Sequence, residues 1–212
     1  IMGVSKKGKS GFVGKVGKTV EYDLNGQRVK RSVGYSSKPP TEARIAAWAR
    51  MQLINNLHKP VKGLLEMGFK ITKATRTMNA NNLAMRYNLA HVVTGEYPDY
   101  GIDYSKVLFA QGPIPKVKAT ATKLERQGIL FRWESAEETR LLRRNDQVMI
   151  LAYAPAENEA VFQLSAALRK AGEVILKIPT YDAPVSFETY IFFTSASQKI
   201  ASDSIYTGRI MW

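Results

Sequence analysis

Hydrophobic and polar positions change their period twice along the chain. Up to about Lys38 they alternate, among many glycines and lysines, on either side of Asn25-Gly26. Both residues of that pair tolerate the positive φ angles of a type I′ turn, so the pattern predicts a β-hairpin. In its register Leu24 faces Gln27, Asp23 faces Arg28, Tyr22 faces Val29, Glu21 faces Lys30 and Val20 faces Arg31. Opposed charges then share one face, while Val20, Tyr22, Val29 and Val33 share the other. Between residues 39 and 103 the period becomes helical. Thr41 follows Pro39-Pro40 as a good N-cap, and Glu42 suits the positive end of the helix dipole. Ile45, Ala49, Leu53 and Leu57 form an i, i+4 stripe that Trp48, Met51 and Ile54 widen, which predicts a helix buried on more than one side. Pro60 interrupts it. "VKGLLEMGFK" predicts a short second helix ending near Gly68. "MNANNLAMRYNLAHVVTG" predicts a third, with Leu83, Tyr87 and either Ala90 or His91 on its stripe and Gly95 as its stop. The asparagines at 79, 81 and 82 weaken its start, because they favour non-helical backbone.

From about Lys106 the period shortens again. The runs "KVLFA", "KVKATAT", "GILFRWE", "QVMILAYA", "AVFQLSA", "EVILKIP", "VSFETYIFFT" and "SIYTGRIM" are separated by turn residues, at a spacing typical of a sandwich. Ile129, Phe131 and Trp133 alternate with Leu130, Arg132 and Glu134, the signature of a half-buried strand with Trp133 inward. "QVMILAYA" and "YIFF" are apolar on both faces and belong at the centre. The predicted class is α+β, in three regions: a basic Gly/Lys-rich N-terminal arm with a β-hairpin (1–38), a small helical middle region (39–103), and a C-terminal immunoglobulin- or fibronectin-like antiparallel β-sandwich (104–212).

Composition sharpens this picture in one respect. The 212 residues carry a net charge of +13, unevenly spread. Residues 1–103 hold 17 Lys/Arg against 7 Asp/Glu, and the remainder 14 against 11. Such an imbalance points to a basic arm that meets a polyanion, set against the plainer reading of a surface charged for solubility. With no cysteine there is no disulfide framework and no thiolate metal site. No apolar run reaches the roughly 20 residues needed to cross a bilayer as a helix. The opening "IMGVSKKGKSG" has no apolar core after its lysines, so no secretory signal is expected. Met2 reads as the natural start, with Ile1 a remnant, and a cytoplasmic protein, or one carried within a virion or other intracellularly made assembly, is expected.

Candidate chemistry is sparse. "GFVGKVGKT" ends in the Gly-Lys-Thr of a phosphate-binding loop, but position 12, where that motif needs its first glycine, is Phe12, and Gly11 and Gly14 are off register. A hairpin after Thr19 also leaves no helix N-terminus to hold a phosphate. His58 and His91 each fall near a predicted helix end, without metal-ligand spacing, and no Gly-x-Ser-x-Gly elbow occurs. Glu137-Glu138 and Glu157/Glu159 fall in predicted loops and read as solvated turns. Trp133 reads as core, whereas Tyr22 and Tyr35 lie in the basic arm, where stacking on bases would complement phosphate contacts. Arg140-Leu-Leu-Arg-Arg144 is a second basic cluster, suited to a protein as much as to phosphate. The expectation is a protein that is not an enzyme and has no cofactor and no metal.

Several segments also resemble one known family. They are "GKVGKTV…NGQRVKRS", "KPPTEARIAAWAR", "AMRYNLAHVVTGEYPDYGIDYSKVLFAQG", "AENEAVF" and "SDSIYTG". The most specific block runs through Tyr87-Asn88-Leu89, Thr94-Gly95, Tyr97-Pro98 and Ile102 to Val107. Together they are similar to the Bacteroidota family known as domain of unknown function 6266, over nearly the whole chain. Arg44 stands where that family often has Gln after Thr-Glu-Ala. The resemblance implies a layout and carries over no catalytic residues.

The functional expectation is therefore a non-enzymatic binding or scaffold protein whose arm contacts RNA or DNA without sequence preference, since no RNP, KH or zinc-finger pattern is present. Arg28 and Lys30 have partners in the hairpin register. Lys6, Lys7, Lys9, Lys15, Lys18, Arg31 and Lys38 have none there, and are the candidate nucleic-acid-binding residues. The alternative is a structural assembly protein, phage- or mobile-element-associated, whose hairpin and sandwich contact neighbouring copies. No membrane and no small-molecule substrate is expected.

Overall fold

A computed structural model describes residues 4–5, 12–24, 27–34, 38–69, 78–125, 127–134 and 143–212. The chain forms two compact units, residues 1–42 and 43–212. In the first, β1 (Val4–Ser5), β2 (Phe12–Val16), β3 (Thr19–Leu24) and β4 (Gln27–Ser32) make one antiparallel sheet in chain order. The β3–β4 register follows the expected one pair for pair, from Leu24↔Gln27 to Val20↔Arg31, and continues to Thr19↔Ser32. The turn Asn25-Gly26 itself lies outside the described residues. The hairpin is half of a larger sheet, because the alternation in "FVGKV" adds β2 through Val16↔Thr19.

The second unit is of α+β class. Helix α1 (Glu42–His58) passes through a 3₁₀ turn at Lys59–Val61, where Pro60 has no N–H to give, into α2 (Lys62–Gly68). Helix α3 (Ala80–His91) is capped by Asn79, whose side-chain oxygen accepts the Asn82 N–H at 2.8 Å. The asparagine run thus starts this helix, as N-cap chemistry allows. Strands β5 (Val93–Thr94) and β6 (Gly101–Ile102) form a short ladder. Gly95, expected to stop α3, sits in the loop between them with φ +77°. A three-stranded sheet has the order β11-β8-β7, from β7 (Ala119–Leu124), β8 (Gly128–Trp133) and β11 (Glu173–Leu176). A four-stranded sheet has the order β10-β9-β12-β13, from β9 (Gln147–Ala154), β10 (Glu159–Leu168), β12 (Ser186–Thr194) and β13 (Ile205–Met211). Every pairing among these named strands is antiparallel.

The central strands β9 and β12 bury both faces. Val148, Ile150, Ala152 and Ala154, with Phe187, Ile191 and Phe193, pack against Ile129, Phe131, Trp133 and Leu176 of the three-stranded sheet. Met149, Leu151 and Tyr153, with Tyr190 and Phe192, pack against Ile54, Leu57, Leu64, Leu65 and Ala84 of the helices. Trp133 is buried as expected, its Nε1–H donating to the Arg169 carbonyl at 2.7 Å. Beside it Arg169 and Asp146 form a buried ion pair at 3.2 Å, with the guanidinium 3.7 Å from the Phe193 ring centroid.

Three expectations are corrected. Helix α1 is not buried on several sides: only Ile54, Leu57 and His58 are, while Ile45, Trp48 and Met51 are 37%, 49% and 47% exposed. Only its C-terminal part supplies buried residues to the core, while Arg50, one turn earlier, donates to the Leu89 carbonyl at 3.0 Å. The buried positions of α3 are Ala84 and Asn88, while Leu83 and Tyr87 are half-buried. Finally, "KVLFA" is buried but is no strand; residues 107–110 cross the core as a tied connection. Asn88 Oδ1 accepts the Leu108 N–H at 3.0 Å, and its Nδ2 donates to the Leu108 carbonyl at 3.0 Å and to His58 Nε2 at 2.9 Å. Ser204 continues the tie, its Oγ accepting the Phe109 N–H and its N–H donating to the Ala110 carbonyl, both at 3.0 Å. A Cβ at Gly68 would run into the Phe109 carbonyl, so only glycine fits there. Residues quoted for the family resemblance, Asn88, Val107–Ala110 and Ser202–Ser204, therefore meet in one place and hold backbone.

Candidate nucleic-acid interface

The predicted binding residues fall into three groups. Lys6, Lys7 and Lys9 lie outside the described residues, as does Tyr35. Lys18 and Lys38 are exposed and off the strands: Lys18 is in the β2–β3 turn, and Lys38 precedes α1. Lys15 and Arg31 lie within the sheet, where both pair with Val20 from opposite sides. Side chains alternate across a strand, so Lys15, Val20 and Arg31 share a face with Tyr22 and Val29. The Arg31 guanidinium stands 5.9 Å from the Tyr22 ring centroid, within range of a cation–π contact.

Glu21 and Asp23, the carboxylates of the described strands, point to the other face. There Glu21 accepts Lys30 at 3.0 Å and Arg28 at 3.7 Å. Glu21 thus serves both cations, although Arg28 stands opposite Asp23 in the ladder. Two of the cations expected to lack local partners, Lys15 and Lys38, do take part in interactions. What sets the Lys15–Arg31 face apart is accordingly its content among the described strand residues: two cations, an aromatic ring, the valines at 13, 20 and 29, and no carboxylate.

The Gly-Lys-Thr of the opening motif is a hairpin turn. Val16 pairs with Thr19 across Gly17-Lys18, and Gly17 has φ +57° while Lys18 does not, as a type II′ turn requires. Thr19 Oγ1 donates to the Val16 carbonyl at 3.1 Å, so its hydroxyl is occupied within the turn. The histidines lie apart in role. His58 is buried between Asn81 and Asn88, and desolvation pushes it down to about 4, against a smaller upward pull from Asn81. Since Asn88 donates to Nε2, the ring carries its proton on Nδ1, which donates to Asn81 at 3.2 Å. His91 is exposed, stacked on Tyr87 with ring centroids 4.3 Å apart. No cluster of three or more potential metal ligands occurs among the described residues. Of the basic cluster near residue 140, Arg143 and Arg144 are described and exposed, whereas Arg140, Glu137 and Glu138 lie outside the described residues.

On the exposed turns of α1 the Arg44 guanidinium lies 4.8 Å from the Trp48 ring centroid. The i, i+4 spacing of these two residues was a usable signal.

The chain is thus an α+β protein whose first unit presents a cationic, aromatic sheet face. Residues 7–208 match the model of the Family of unknown function (DUF6266), and the chain belongs to that family. No curated protein and no solved structure matches it.

Proposed function

We propose that this is a non-enzymatic nucleic-acid-binding protein that meets the RNA or DNA backbone through the Lys15–Tyr22–Arg31 face, with Lys18 at its edge. The observation that carries this reading is the sorting of charge across the sheet. Glu21 and Asp23 lie on one face with Arg28 and Lys30, leaving the other face cationic around an aromatic ring. Phosphates would meet Lys15 and Arg31, and Tyr22 offers a surface on which any base can stack. Lys6, Lys7, Lys9 and Lys38 extend the same charge along the chain. The second unit, with its two sheets sharing a core, would be an immunoglobulin- or fibronectin-like sandwich serving as scaffold.

A second reading has its own support. The described strands of the first unit form one sheet with no second layer of their own, and an apolar sheet face is stable only when covered. A neighbouring copy in an assembly could cover Val20, Tyr22 and Val29. The two readings separate on fluorescence anisotropy with mixed-sequence RNA and DNA, run beside light scattering. Lys15→Gln with Arg31→Gln should weaken binding equally across sequences. It should also flatten the slope of log affinity against log salt by about 0.9 per lost phosphate contact on duplex, or about 0.7 on single strands. Arg28→Gln with Lys30→Gln, on the opposite face, should change it little. Absence of binding in low salt, with a mass that rises with concentration and needs residues 2–38, would replace the first reading by the second.

A further inference from the structure

The second unit holds a groove that the nucleic-acid reading does not use. About 760 Å³ in volume, it lies among the C-terminal turn of α3, the 3₁₀ turn at Tyr104–Lys106 and the start of β13. That volume falls in the range of small-molecule sites, about 300–1,000 Å³. Its wall carries Lys106, Lys116 and His91, and no carboxylate stands among its described lining residues.

Both lysines are held in place from outside the groove. Asp103 Oδ2 takes Lys106 at 2.8 Å, while its Oδ1 accepts the N–H and hydroxyl of Ser105. Asp203 Oδ2 takes Lys116 at 3.2 Å, while its Oδ1 accepts the Gly112 N–H at 3.1 Å. Each carboxylate is thus anchored to backbone and fixes one ammonium. An ammonium has three donors, so each lysine keeps two for a ligand. The hydrogen bond from Lys106 to Asp103 raises the lysine's pKa above its ordinary value.

Flat surfaces stand beside these cations. His91 and Tyr87 are stacked, and the Tyr206 ring lines the same groove, its hydroxyl tied to Glu188 at 2.6 Å. The Tyr206 ring is fixed by that bond and has no hydroxyl proton left to offer.

We infer that this groove binds a nucleotide unit, its phosphate between Lys106 and Lys116 and its base against the His91–Tyr87 stack or the Tyr206 ring. Two ammonium groups on one wall, each with donors to spare, suit a phosphate, and the aromatic wall suits a planar ring. The unit has two sources, a free mononucleotide or one residue of a single-stranded nucleic acid, and the inference stands apart from the N-terminal interface.

Isothermal titration of the full chain tests it with adenosine 5′-monophosphate, adenosine, inorganic phosphate and a short oligoadenylate. The monophosphate should bind with a stoichiometry of one, and adenosine and phosphate each more weakly. Lys106→Gln with Lys116→Gln, both on exposed side chains, should lower affinity about tenfold or more. His91→Ala should weaken adenosine and leave phosphate unchanged where the base lies on the stack, and Tyr206→Leu should do so where it lies on the Tyr206 ring. Binding of oligoadenylate alone, lost in the Lys106/Lys116 variant, would identify a nucleic-acid strand as the source. Absence of saturable binding for every probe, or binding indifferent to the Lys106/Lys116 change, would overturn the site. Oligonucleotide binding lost only in the Lys15/Arg31 variant, with no monophosphate binding that needs Lys106 and Lys116, would overturn the groove and leave the N-terminal interface standing.

Discussion

Asn88→Ala should be among the most damaging single changes in the second unit, although it removes no apolar surface. The side chain is fully buried and makes three hydrogen bonds, two to the Leu108 backbone and one to His58 Nε2. Alanine leaves a buried N–H, a buried carbonyl and a ring nitrogen without their partner. Orphaning a buried polar group costs about 1–3 kcal/mol. A water entering the vacated space would recover part of that, so the net loss should be about 3–5 kcal/mol. That is a large share of the roughly 5–15 kcal/mol that holds a typical domain together. All three tryptophans, Trp48, Trp133 and Trp212, lie in the second unit, so their fluorescence follows its unfolding selectively. With a urea m-value of about 2 kcal/mol/M, the midpoint should fall by roughly 1.5–2.5 M. Asn88→Leu, similar in volume and unable to hydrogen-bond, should fare no better. A loss below about 1 kcal/mol in both variants would refute the reasoning, and place the connection's stability in its apolar contacts instead.

Two further outcomes follow from buried polar groups. Asp146→Ala leaves Arg169 charged and buried beside Trp133, and should cost about 3–5 kcal/mol by the same unfolding assay; a loss under about 1 kcal/mol would show the pair to be dispensable. His58 gives a pH dependence of definite sign. Its folded-state pKa of about 4 lies below the ordinary 6.5, so the unfolded chain takes the proton first as pH falls. The stability is fully present above about pH 6.5 and is lost progressively toward pH 4, by up to about 3 kcal/mol. Between pH 6.5 and 5, above the carboxylate range, His58→Gln should flatten the loss, and an unchanged slope would assign it to another group.

How much of this was legible depends on how local the cause is. The β3–β4 register was readable residue by residue, because a two-residue turn fixes every pair that follows it, and Tyr22, Val29 and Arg31 fell on their observed face for that reason. The third helix was readable in extent and misread in phase. Its apolar stripe through Leu83 and Tyr87 is genuine, but the buried positions are Ala84 and Asn88. An asparagine between Tyr87 and Leu89 inside a helix is costly unless its amide is used, and that was the available signal. What it bonds, Leu108, is distant in sequence and follows no period. The ion pair of Asp146 with Arg169 was hidden in the same way, since each residue alone reads as surface charge. The helix period likewise says which side of α1 is apolar, while its burial depends on how far the partner surface extends.

The doubly apolar strands carry the most architectural information. In a sandwich of two sheets each strand buries one face and shows the other to solvent, so its sequence alternates. "QVMILAYA" and "YIFF" do not alternate, and a two-layer arrangement would leave Met149, Leu151, Tyr153, Tyr190 and Phe192 facing water. A third layer is needed to cover them. The helical segment supplies it through Ile54, Leu57, Leu64, Leu65 and Ala84, together with the connection through Val107, Leu108 and Phe109. The connection must cross this layer without ladder partners, and every backbone group buried there needs a bond from elsewhere. Asn88 and Ser204 provide four of them, to the N–H and carbonyl of Leu108, the N–H of Phe109 and the carbonyl of Ala110, from α3 and from the segment leading into β13. The same two runs, "YNL" and "SDSIYTG", also contribute Tyr87, Ser204 and Tyr206 to the groove beside Lys106 and Lys116. Fixing the connection and shaping that groove are therefore a single structural task. Any change that frees residues 107–110 should disturb the groove before it disturbs the facing sheets, whose shared core is built from other residues.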